Sequence, residues 1–159
     1  MTTPAYPTYV RTRRWPPRNW YELQEEWSIR IVIDAPADYS DETISITKLP
    51  DGGCIISMHP PFGWNGATGV PDFKRCMPGT MPHDYIYSGE ASRSICAEWG
   101  WSAAHVRQWA DTVFDEINFL FGLWNPVRRL YFAGVRLLGK PIFAVTRWAA
   151  EWRDIWRAL

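Results

Sequence analysis

The sequence predicts an α+β protein, a small antiparallel sheet followed by a helical C-terminal half. Apolar residues alternate with polar ones over 27–34 and again over 43–58, the period of a half-buried strand. From Ser102 onward they recur every three and four residues, the period of an amphipathic helix. Between the two regimes, residues 59–82 hold five prolines and four glycines, a composition that marks a long loop.

Length and composition fit one compact domain: 159 residues, 47% hydrophobic and 21% charged, with enough apolar side chains to bury a core and exclude disorder. Three cysteines, Cys54, Cys76 and Cys96, show no paired spacing, so neither a disulfide framework nor a zinc knuckle is expected and the thiols are read as small buried hydrophobes. The unusual feature is aromatic, with 11 Trp, 7 Tyr and 7 Phe. Charge is also uneven. Residues 1–20 carry +4, 21–118 carry −9 and 119–159 carry +5, so the ends either fold over an acidic body or face an anionic partner.

In chain order, residues 1–20 set Pro4, Pro7, Pro16 and Pro17 among Tyr6, Tyr9, Trp15 and Trp20, which reads as an extended arm. Over 27–34, Trp27, Ile29, Ile31 and Ile33 share one face of a strand. Residues 43–58 form a hairpin closed by the turn chemistry of Pro50, Asp51, Gly52 and Gly53. A first helix is expected to start at Thr80 as N-cap, with Pro82 in its first turn. A second spans 102–121, carrying Val106, Trp109, Val113, Ile117 and Leu120 on one face. A third spans 127–138 and stops at Gly139. A separate Trp-rich helix occupies 142–159. The organisation is thus an arm (1–20), one α+β domain (21–141) and an amphipathic C-terminal helix (142–159).

One constellation carries chemistry. His83 and Asp84 sit at a helix start, Tyr87 lies one turn further along, and Asp111 falls on the following helix. If the two helices run antiparallel, Asp111 reaches His83 and orients its imidazole, as the third member of a nucleophile–base–orienter set does. The alternative is a helix-start charge with a capping partner, since the helix dipole favours Asp84 there. His59 and His105 read as surface or loop residues.

The segment 65–72, then Met77, His83, Asp84 and Tyr87, then Ala110, Asp111 and Phe114, then Tyr131, Val135, Arg136 and Gly139 together resemble domain-of-unknown-function family 1353, small proteins of phages and prophages. Asn65 stands where that family usually has Asp. The resemblance covers roughly residues 43–139 and implies a phage protein, made in the host cytoplasm and carried in the virion or tail as a structural component. More distantly, the glycine-containing loop and the His-Asp-x-x-Tyr helix paired with an Asp-bearing helix are similar to the phospholipase A₂ superfamily. That likeness implies a lipid or ester hydrolase in which His83 activates water, held by Asp111 and Tyr87. It also implies Ca²⁺ bound by Asp84 with backbone carbonyls of Gly66, Thr68 and Gly69, an ion suited to a carboxylate with carbonyl oxygens.

The last candidate surface is aromatic. Trp148, Trp152 and Trp156 recur every four residues beside Arg153, one stripe of a helix that fits the protein's own core, a partner subunit or virion protein, self-association, or a lipid interface. Trp15 and Trp20 offer a similar contact from the arm. Arg–aromatic interleaving over 9–20 suits base stacking, but the acidic middle argues against nucleic acid. No signal-peptide pattern opens the sequence, and the longest apolar stretch, 130–146, is interrupted by Arg136, Lys140 and Pro141.

Overall fold

The computed structural model describes residues 4–14, 18–66 and 73–158. The N-terminal half forms two antiparallel sheets and the C-terminal half four helices, the α+β arrangement that the two hydrophobic periods predict. The strands are β1 (Tyr9–Arg14), β2 (Arg18–Leu23), β3 (Trp27–Ile31), β4 (Tyr39–Ser40), β5 (Ile44–Lys48), β6 (Cys54–Met58) and β7 (Phe62–Trp64). They are followed by α1 (Met77–Ile86), α2 (Gly89–Trp99), α3 (Ala103–Leu120) and α4 (Asn125–Ala158).

The larger sheet has the order β3-β6-β5-β4. Its hairpin pairs Ile46 with Ile56 and Lys48 with Cys54, so Ile44, Ile46, Ile56 and Met58 enter the core together. Gly52 and Gly53 close it at positive φ, and a side chain at position 53 would run into the Ile31 carbonyl. The C-terminal end of the expected strand 27–34, residues 32–34, is not strand, because pairing with β6 ends at Ile31.

Residues 9–14 and 18–20, expected within an arm, instead pair with each other and with 21–23 as a hairpin from Tyr9 opposite Leu23 to Arg14 opposite Arg18. The smaller sheet adds β7, with Tyr21 opposite Trp64 and Leu23 opposite Phe62. Tyr9, Tyr21 and Trp64 cluster with ring centroids 5.4–5.6 Å apart, and Tyr6 packs on Phe121 at 4.7 Å. Pro4 and Pro7 precede the strands rather than interrupt them, so their missing N–H groups cost the ladder nothing.

The helices differ from expectation in three places. Helix α1 begins a turn early, at Met77 after Cys76, and Thr80 is a buried helix residue rather than the cap. Its hydroxyl donates to the Met77 carbonyl and accepts from Trp64 Nε1. Helix α2 is absent from the sequence-based expectation, although Ser88 caps it by accepting from Ala91 N and Gly100 ends it at φ 64. Helix α4 is continuous across Gly139 and Pro141, where the sequence predicts two helices, 127–138 and 142–159. Pro141 and Leu137 are both exposed, so the carbonyl left without its i+4 donor lies on the solvent side. The inner face of the larger sheet shares one core with Met81, Ile95, Val106, Val113 and Ile117 of α1–α3. Among the described residues, no helix is long and apolar enough to cross a membrane.

Candidate functional site

Helices α1 and α3 lie antiparallel. Gly79 faces Asn118 and Phe114, while further along α1 His83 and Tyr87 face Asp111. The approach is close because position 79 has no side chain: a Cβ there would lie 2.8 Å from Asn118 Oδ1 and 3.1 Å from the Phe114 carbonyl.

Asp111 is fully buried and takes four partners. Its Oδ1 lies 3.1 Å from His83 Nε2 and accepts the Tyr87 hydroxyl. Its Oδ2 accepts from Arg107 at 2.9 Å and pairs with Arg136 Nε at 3.7 Å. A buried carboxylate without such partners would cost several kcal/mol, so two guanidinium groups, a phenol and an imidazole together account for its burial. Arg107 sits four residues before Asp111 on the same helix, a pairing open to sequence reading. Arg136 arrives from α4 and has no such local signal.

His83 is 7% exposed. With Nε2 committed to Asp111, Nδ1 remains, 3.8 Å from Asp84 Oδ1. Burial works to lower its pKa, but the hydrogen bonds and charges of Asp111 and Asp84 outweigh it and hold the imidazolium above its ordinary range. The Tyr87 hydroxyl is pushed well above its ordinary value, first by burial and then by the Asp111 charge. The Tyr87 ring packs tilted by 31° against His83 at 4.0 Å and meets Phe143 edge-on at 5.0 Å. The ring that donates to Asp111 is thus itself clamped between α1 and α4.

His83, Asp84 and Tyr87 form one wall of a pocket of about 560 Å³. The other walls are apolar: Phe62 and Trp64 of β7, Phe114 of α3, and Tyr131, Val135 and Leu138 of α4. A more open hollow of about 360 Å³, lined by Trp101, His105, Gln108 and Thr112, holds no comparable acid–base pair. The larger pocket is therefore the candidate site, an apolar cavity with few convergent polar groups.

The structure brings His83, Tyr87 and Asp111 into direct contact, and Asp84 and Gly66 onto the same pocket. Thr68 and Gly69, expected as carbonyl ligands for Ca²⁺, lie outside the described residues, as does Trp15. Among the described residues no group of three or more His, Cys, Asp or Glu side chains is gathered to hold a metal ion; the loop backbone that would complete a carbonyl set is not among them. Trp148 is exposed, whereas the side chains of Trp20, Trp152, Trp156 and Arg153 lie outside the described residues. His105 is exposed, and His59 is half-buried beside Glu26. Cys54 and Cys76 are buried as expected, and Cys96 only partly.

The chain matches no family model, no curated protein and no solved structure.

Proposed function

We propose that the pocket is the site of a hydrolase acting on an ester with an apolar acyl chain, with His83 as general base. The reading rests on one observation: a buried imidazole with one nitrogen held by a buried carboxylate lines an apolar cavity of about 560 Å³. That volume is in the range that encloses small apolar ligands.

In this reading, a water beside Nδ1 attacks the ester carbonyl carbon as His83 takes its proton. Asp111 steadies the resulting imidazolium through Nε2–H. Collapse of the tetrahedral intermediate breaks the carbon–alkoxide bond, and His83 returns the proton to the leaving oxygen, giving one acid and one alcohol. Tyr87, Arg107 and Arg136 act in this reading through their contacts with Asp111, so they are positioning residues. A Ca²⁺ ion at Asp84, implied by the phospholipase likeness, would supply stabilisation of the oxyanion. The test is a series of esters of rising chain length. Specificity should climb with chain length until the cavity fills and then level; a flat series would overturn the apolar-chain reading.

A second reading is a non-catalytic virion or tail component, in line with the phage-family resemblance. What favours it is that Arg107 and Arg136 both hold Asp111, as a cluster that fixes helix packing would. Under that reading Asp111→Asn lowers stability while the wild-type protein hydrolyses no ester.

A further inference from the structure

We infer that the outer face of α4 is a docking surface for an anionic lipid bilayer. The inference rests on the hydrolase reading only in assigning a use to the docked state, delivery of an acyl chain to the pocket.

The first argument is the helix's double apolar character. Tyr131 and Phe143 are buried on its inner side, while Leu130, Leu137, Val145 and Trp148 are exposed at 59–76%. At about 100° per residue, positions 130, 137, 141, 144 and 148 fall within about 60° of one another, one continuous stripe of Leu, Pro, Ala and Trp. A stripe of this kind on a long helix is what an in-plane interfacial helix presents to the headgroup boundary.

The second argument is charge. Residues 117–150 contain five basic side chains and no acidic one. Positions 129, 136, 140 and 147, all Arg or Lys, fall on one row about 100° to the side of the stripe. Arg136 is engaged with Asp111, whereas Arg129 and Lys140 are exposed. A basic row flanking an apolar, Trp-bearing stripe complements anionic headgroups over acyl chains. A second copy fits less well. A two-fold contact sets the same patch against itself, bringing basic row against basic row over 129–147, and the carboxylates of α4, Glu151 and Asp154, lie beyond that stretch.

The third argument is continuity with the pocket. Leu138 and Ile142 line it and are also exposed, at 66% and 48%. The apolar stripe therefore runs into the pocket wall, so a chain leaving a bilayer would not have to cross a polar rim at that edge.

The test is co-sedimentation of the full chain with phosphatidylglycerol-containing vesicles and with phosphatidylcholine vesicles, alongside hydrolysis of a water-soluble monomeric ester. The wild-type protein should bind the anionic vesicles, release with added salt, and bind the zwitterionic ones far less. Arg129→Gln with Lys140→Gln should weaken partition roughly 30-fold, the effect of removing two basic side chains from an anionic surface, and Leu137→Asp should abolish it. Neither variant touches the pocket, so ester hydrolysis should persist in both. Absence of binding to the anionic vesicles overturns the inference, as does binding indifferent to both variants. Concentration-dependent dimers dispersed by Leu137→Asp, without vesicle binding, would overturn it in favour of a second copy. Vesicle binding by a wild-type protein that hydrolyses no ester would support the docking surface and refute the hydrolase reading; hydrolysis without vesicle binding would do the reverse.

Discussion

Gly139 of α4 lies directly against the hydroxyl of Tyr87, the residue that caps α1, so that a Cβ at position 139 would sit 2.5 Å from the phenol oxygen and 3.2 Å from the ring. The missing side chain is what lets Tyr87 stand between Asp111 and α4. Gly139 is not among the glycines at positive φ, and α4 runs through it.

Gly139→Ala and Gly134→Ala should therefore have opposite effects. Both gain up to about 1 kcal/mol of helix propensity. Nothing lies within 4 Å of a Cβ at position 134, so that variant should be the more stable protein in denaturant unfolding. At position 139 the gain is outweighed by displacing Tyr87 from Asp111, for a net loss of about 1–3 kcal/mol. A Gly139→Ala protein as stable as the wild type would mean that the phenol is not held there.

The raised pKa of His83 fixes the sign of a pH effect. A histidine whose folded value exceeds its ordinary 6.5 contributes stability that is complete below that value and fades as pH rises through the folded one. NMR titration of the His83 imidazole should find it above 6.5, and Asp84→Asn should bring it down by removing one of the two carboxylates responsible. The same protonation bears on catalysis. Neutral imidazole accumulates only above the raised value, so ester hydrolysis should rise with pH through that range. An imidazole titrating below 6.5 in the wild type would contradict both statements.

Asp41 ties the start of β5 to α1. One carboxylate oxygen accepts from Tyr39 and Tyr85 at 2.7 and 2.8 Å, the other from the backbone N–H groups of Thr43 and Ile44 at 2.8 and 2.9 Å. Burial would raise its pKa, but these hydrogen bonds outweigh it and set it below 3.8; Tyr39 is pushed up to about 12, chiefly by burial. The stabilisation is present above pH 3.8 and lost as pH falls through the lower folded value. Asp41→Ala should cost about 2–4 kcal/mol and move acid unfolding to higher pH. An unchanged acid midpoint would show that the cluster carries no linkage.

Which parts of this structure are legible in the sequence follows from how local their causes are. Strands β3, β5 and β6 and helix α3 announce themselves through side-chain periods. The β1–β2 hairpin does not, because its stability lies in Tyr21 and Leu23 meeting β7 some forty residues on, while nearby prolines suggest an extended arm. Helix α4 is hidden by Gly139, a stop signal on local grounds that becomes intelligible only once Tyr87 is placed against it. The triad of His83, Tyr87 and Asp111 is readable because each pair is set by helical spacing and one antiparallel contact. Arg136 and the apolar pocket walls are not, since tertiary packing brings β7 and α4 to them.

The most direct test of the account is the initial rate of hydrolysis of a medium-chain ester by the wild-type protein and by His83→Asn, with circular dichroism showing that both are folded. A general base contributes about 10²–10⁴-fold, so the variant should lose at least about a hundredfold in kcat/KM while retaining its spectrum. Equal rates from the two folded proteins, or no wild-type hydrolysis above the buffer rate, would contradict the assignment of His83 as the base of a hydrolytic site.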